Sequence, residues 1–144
     1  MFVGANPANN QPVTLKYLYK AKKAGTKIVV VNPFVEPGME RYWIPSVAES
    51  ALFGTKLADD FFHIHVGGDI PFFYGVLKHL IEQSWVDRDF IAARTVGWED
   101  LASKVRALPW DSIERGAGVT AAACTGSRRH SGRRVMRSSC GAWE

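Results

Sequence analysis

A mixed α/β fold, with a three-layer, mostly parallel sheet followed by short helices and a disordered tail, is what three observations in this chain of 144 residues predict. The first is a set of three polar loops, residues 4–10, residues 32–37 and Gly67-Gly68-Asp69, each behind a short apolar run. The second is the continuous β-branched stretch Ile28-Val29-Val30-Val31, the pattern of a parallel strand buried on both faces. The third is a helical pattern between the first two strands, which makes one right-handed βαβ unit. Loops leaving the carboxyl ends of adjacent parallel strands meet at one edge, where ligands bind, so the trio describes a nucleotide cleft.

The elements follow in order. Met1-Phe2-Val3 opens almost inside a strand, shorter than the roughly 5 to 6 residues usual for one. Pro12 starts a helix whose Leu15, Leu18, Tyr19 and Lys22 recur at helical spacing, and Gly25 stands where a closing glycine belongs. The second strand runs over residues 26–31. Pro37, Gly38, Pro45 and Gly54 punctuate residues 33–58, which read as a long, partly functional loop with one helical turn. Residues 61–66 form a third strand. Pro71 then begins a helix through Gln83, with Phe72, Val76, Leu80 and Ile81 on its apolar face. Residues 87–94, residues 98–108 and a segment from Pro109 to about Gly116 read as further short helices, packed through Trp85, Trp98 and Trp110.

Composition narrows the function classes. Apolar residues make up 47% and charged residues 22%, an ordinary globular balance. No apolar stretch approaches the roughly 20 residues of a membrane span, and no secretory leader pattern opens the chain, so a cytoplasmic protein without membrane partners is expected. The net charge of +4 belongs to the tail. Residues 1–119 hold 13 Lys and Arg against 13 Asp and Glu, while Arg128, Arg129, Arg133, Arg134 and Arg137 face only Glu144 beyond them. Without interleaved aromatics, those arginines argue against a nucleic-acid partner. Cys124 and Cys140, the two cysteines, also lie in the tail and have no zinc or iron–sulfur spacing.

Each loop has a chemical reading and a plainer one. The first has only Gly4 of the Gly-x-Gly-x-x-Gly fingerprint, which argues against a nicotinamide cofactor. Its Asn6, Asn9 and Asn10 tolerate left-handed backbone and offer amide donors to a pyrophosphate, or simply make an Asn/Pro turn. In the second loop, Asn32, Pro33 and Glu36 follow a strand where Rossmann-like sheets grip a ribose hydroxyl; a solvated loop carboxylate is the plainer reading. In the third, Gly67 and Gly68 let backbone approach a ligand, and Asp69 either caps the next helix or accepts from the ring NH and amine of guanine. His63 and His65 alternate on a strand and share a face, but with no third ligand nearby they read as packed or rim residues.

Taken together, residues 4–12, Lys27-Ile28-Val29-Val30-Val31-Asn32-Pro33, Ala58-Asp59 and Gly67-Gly68-Asp69 resemble the molybdopterin oxidoreductases, in particular the formate-dehydrogenase-like branch of the dimethyl-sulfoxide-reductase superfamily. Trp98-Glu99-Asp100-Leu101 and residues 109–114 extend the likeness to about residue 119. The resemblance implies a partial molybdopterin guanine dinucleotide-binding domain over residues 1–119 and a basic tail over residues 120–144. It also implies that Gly4, Asn6 and Asn9 approach phosphates and ribose, residues 32–36 the nucleoside, and Asp69 the guanine. The implied parent reaction is two-electron oxidation of a small substrate such as formate, with electrons leaving through an iron–sulfur cluster.

The chain departs from that pattern by lacking the cluster cysteines and the molybdenum-ligating cysteine or selenocysteine. It is therefore expected to be a fragment, inactive alone, whose partner is the remainder of the parent enzyme. The abrupt change near Thr120 to Arg, Ser, Gly and Ala is the expectation of a shifted reading frame, with Met1 an internal start. The alternative from another class is a stand-alone nucleotide-binding or interaction module without redox activity.

Overall fold

The protein is described here by a computed structural model, which covers residues 1–44 and 47–124. The chain divides into two compact units, Met1–His63 and Ile64–Glu144. The fold is mixed α/β, with a small parallel sheet in the first unit and helices dominating the second.

In the first unit, β1 (Phe2–Val3), β2 (Val29–Asn32) and β5 (Asp60–His63) form a parallel sheet in the order β1-β2-β5. Every residue of β2 is buried, as its β-branched run predicts. Between β1 and β2 come α1 (Pro7–Asn10) and α2 (Thr14–Lys23). Helix α2 ends in a Schellman motif: Thr26 N–H donates to the Ala21 carbonyl, and Gly25 N–H, at φ +94°, donates to that of Lys22. Leu15 anchors α2 in a cluster with Ala8, Ile44 and Leu57, and Ile28, Val30, Met39 and Ala58 form a second cluster.

The described residues of the segment 33–58 are more ordered than the long loop expected from their prolines and glycines. They contain α3 (Pro37–Glu40), β3 (Arg41–Tyr42), α4 (Ala48–Phe53) and β4 (Thr55–Lys56), with β3 and β4 antiparallel. Buried Ser50 organises this segment: its hydroxyl accepts from Ile44 N–H at 2.9 Å and from Thr55 Oγ1 at 2.8 Å, and donates to the Tyr42 carbonyl at 3.3 Å. The third parallel strand is also shorter than residues 61–66. Its partner β2 ends at Asn32, opposite His63, so the ladder ends there, and the His65 amide instead donates to the Ala117 carbonyl at 2.8 Å.

The second unit contains α5 (Asp69–Glu82), α6 (Arg88–Arg94), α7 (Trp98–Ala107), α8 (Trp110–Ala117) and α9 (Ala121–Cys124). Asp87 caps α6 by accepting from Phe90 N–H at 2.8 Å. Helix α5 starts two residues before Pro71, which suits proline because the first turn needs no donor there. Its buried face is Phe72, Gly75, Lys78 and Ile81. Lys78 is only 6% exposed; its ammonium donates to the Arg106 carbonyl at 2.5 Å, in the last turn of α7, and lies 3.5 Å from Glu82. A cation there complements the negative end of a helix. Ala121–Cys124 is helical, within the stretch expected to be tail; the rest of that tail, residues 125–144, including Cys140 and the arginines, lies outside the described residues.

Candidate functional site

The geometry of the first unit follows from its register. Phe2 pairs with Val30 and Val3 with Val31, so the loops leaving β1 and β2 start side by side. Gly4 turns the first loop at φ +59°, with its amide on the Val31 carbonyl at 3.0 Å. Asn6 follows, 9% exposed, at the N-cap position of α1. Its Oδ1 accepts from Asn9 N–H at 3.4 Å, and its Nδ2 donates to Glu36 Oε2, thirty residues away, at 2.8 Å.

Glu36 stands at the N-cap position of α3 without a side-chain capping bond, because its half-buried carboxylate is turned to Asn6. Gly38 makes the meeting of the loops possible: a Cβ there would sit 2.4 Å from Ala8 Cβ and 3.2 Å from Asn6 Oδ1. Asn32 is buried at the end of β2, and the His63 ring nitrogen Nε2 is 2.5 Å from the Pro33 carbonyl oxygen. Asn9 is exposed on α1. The structure therefore gathers Gly4, Asn6, Asn9, Asn32, Pro33 and Glu36 around the ends of two parallel strands. Gly38 contributes as much, yet in the sequence it reads only as punctuation; its place directly behind Glu36-Pro37 was the available signal.

In the second unit the glycine pair divides. Gly67 has φ +77° and open space where a Cβ would be. Gly68 is buried against the carboxyl end of α8, where a Cβ would lie 2.9 Å from the His65 carbonyl oxygen, 3.0 Å from that of Ala117 and 3.1 Å from that of Gly116. Asp69 is the first residue of α5, exposed, with Gly68 at the cap and no side-chain capping bond. The capping role open to Asp69 in the sequence is thus not taken up.

The same unit holds Cys124, buried against Gly75 of α5. Burial, helped by the negative charge of Glu114, pushes its thiol up to about 11. A thiol held protonated at neutral pH is a poor metal ligand. Among the described residues no three His, Cys, Asp or Glu side chains stand together as a metal site. No helix among them is long and apolar enough to cross a membrane.

No protein-family model matches the chain. Protein YdeP of Escherichia coli (strain K12) is 32% identical over 130 residues, 82% of this chain and 17% of that protein. Formate dehydrogenase H of the same organism is 28% identical over 118 residues, 82% of this chain and 14% of that enzyme. Among solved structures, acetylene hydratase from Pelobacter acetylenicus superposes with a TM-score of 0.64 at 24% identity, over 88% of this chain and 15% of that one. The chain thus spans about a sixth of the length of the relatives it matches.

Proposed function

This chain belongs to the molybdopterin oxidoreductases of the dimethyl-sulfoxide-reductase superfamily, and from that premise we propose that it binds the nucleotide portion of a molybdopterin guanine dinucleotide. The observation that supports this most directly is the bridge from Asn6 to Glu36, which joins the loops behind two neighbouring parallel strands. Ligands of open parallel sheets bind at such loop pairs.

The residues fit a nucleoside and its phosphates. Glu36 offers a carboxylate to ribose hydroxyls, Gly4 keeps the first loop free of a side chain, and exposed Asn9 supplies an amide donor to phosphate oxygen. Asn32 and Pro33 shape the floor of the second loop. In the second unit Asp69, behind the turn of Gly67 and Gly68, is assigned to guanine. Its two oxygens match the ring NH and exocyclic amine, a donor pair that adenine lacks.

These residues do not fit the metal itself, since the one described thiol is buried and protonated. When bound in a whole enzyme, the cofactor supplies two-electron redox chemistry; this chain contributes binding and orientation. The same proposal makes the chain a cytoplasmic fragment, formate-dehydrogenase-like, inactive alone. The remainder of a parent enzyme provides the molybdenum ligand, an iron–sulfur cluster and the pocket for a small substrate such as formate.

The test is a titration of the isotopically labelled chain with guanosine diphosphate and adenosine diphosphate, followed by amide NMR. The expected result is saturable shifts at Gly4, Asn6, Asn9, Asn32 and Glu36, with Asp69 responding to the guanine nucleotide alone. Equal response to both nucleotides removes the guanine assignment, and no saturable response at these amides removes the proposal.

A further inference from the structure

We infer that Asn6 is a positioning residue rather than a ligand contact: it holds the Glu36 carboxylate so that one oxygen remains for a ribose hydroxyl. This rests on the nucleotide-binding reading above and assigns different work to the two residues. The Asn6 amide is engaged at both ends, with Oδ1 on the Asn9 amide at 3.4 Å and Nδ2 on Glu36 Oε2 at 2.8 Å. At 9% exposure it presents little surface to a ligand. Glu36, by contrast, is half-buried, and among the described residues its carboxylate uses only Oε2, which leaves Oε1 as an acceptor. Gly38 permits the approach, because a Cβ there would collide with Ala8 Cβ and crowd Asn6 Oδ1. A carboxylate on a mobile loop would lose freedom on binding a hydroxyl; one already held by a neighbour has lost it beforehand, which is how preorganisation raises affinity.

The polarity of the bridge gives a test that a merely structural role would not satisfy. Asn6→Asp keeps an oxygen to cap α1 at the Asn9 amide, and aspartate is as good a cap as asparagine. It removes the donor and sets two carboxylates against each other. Adding Glu36→Gln to that variant restores the bridge with its direction reversed: the new amide nitrogen donates to the new carboxylate, and the amide oxygen remains free to accept from a hydroxyl.

The readout is the dissociation constant for guanosine diphosphate, with far-UV circular dichroism as the control for folding. Asn6→Asp is expected to weaken binding about tenfold, the scale of one hydrogen bond to a charged group, and the double variant to recover most of that loss. Should Asn6→Asp fail to fold, Asn6→Ser, which retains a capping oxygen but is too short to reach Glu36, takes its place. The loss is then expected to be clear but smaller than that of Glu36→Ala, which removes the contacting carboxylate itself. Unchanged affinity in the single variant, or no recovery in the double, overturns the positioning role while leaving nucleotide binding intact. A native chain that does not bind guanosine diphosphate overturns the nucleotide reading, and the positioning role with it.

Discussion

The loop junction of the first unit and the third loop, in the second, are both built on a glycine where no Cβ fits, yet the two glycines press on different things. Gly38 faces a methyl carbon, Ala8 Cβ, fixed to the backbone of α1. Gly68 faces three carbonyl oxygens, those of His65, Gly116 and Ala117. At the first junction side chains of the two loops hydrogen-bond to each other; at the third loop the backbone does the holding, with Gly68 N–H on the His65 carbonyl at 2.9 Å. Where side chains make the junction, its chemistry is committed to particular residues. Where backbone makes it, the neighbouring side chain, here Asp69, is left available.

The largest expected effect breaks this comparison at the glycines. Gly38→Ala should destabilise the protein by about 3 kcal/mol and Gly68→Ala by about 2, the upper part of the range for overpacking. A carbonyl lining can tilt slightly, whereas Ala8 Cβ has no torsion to turn. Urea unfolding measures both, and a Gly38→Ala midpoint equal to the native one would mean that α1 and α3 separate freely.

A smaller effect sharpens the comparison at two helix ends with the same hydrogen-bond pattern. Helix α2 closes on Gly25, and α5 closes with Trp85 N–H on the Leu80 carbonyl and Ser84 N–H on that of Ile81, placing Ser84 at φ +54°. A left-handed backbone costs a non-glycine residue roughly 1 kcal/mol or more. Ser84→Gly should therefore stabilise by about 0.5 kcal/mol once the extra freedom of the unfolded glycine is deducted, and Gly25→Ser should destabilise by about 1 kcal/mol. Thermal unfolding of the pair decides it; opposite signs are required.

The smallest effect concerns pH and should be confined to the first unit. Burial alone would raise the Asp59 carboxyl, but the Ile28 N–H at 2.9 Å, Lys22 at 2.9 Å and Lys27 at 3.7 Å outweigh it, and its pKa is lowered from 3.8. A carboxyl depressed in the folded state contributes stability that is fully present above its unfolded value and is lost as pH falls through its lower folded value. For a partly exposed cluster this amounts to about 0.3 kcal/mol. The Ile28 amide resonance should titrate with a midpoint below 3.8, and Asp59→Asn should abolish that titration while leaving the α5 amides unmoved. A midpoint at or above the ordinary value would show that the lysines do not hold the carboxylate.

What the sequence made legible is what depends on neighbours close in the chain. The β-branched run of β2, the helical spacing of α2 and α5 and the stop at Gly25 are all local signals, and they match the structure. The segment 33–58 was not legible because its order comes from Ser50, a polar residue whose burial and three hydrogen bonds have no periodic signature. The end of β5 was set by where β2 stops. The burial of Lys78 was not legible either, since nothing in α5 reveals that the end of α7 awaits its charge. At the site, Asn6 and Glu36 were each visible as residues suited to a nucleotide. Their bond spans thirty positions and could not be read from either.

The seat of Gly68 also has a history within the life of each molecule. The carbonyls of Gly116 and Ala117 that it rests on, and the Ala117 oxygen that receives the His65 amide, are encoded about fifty residues downstream. At a synthesis rate of roughly 10 residues per second, the third loop leaves the ribosomal active centre about five seconds before its support is made. During that interval the loop before α5 has only its local hydrogen bonds to rely on, and its carbonyl seat is completed only after the last turn of α8 has emerged.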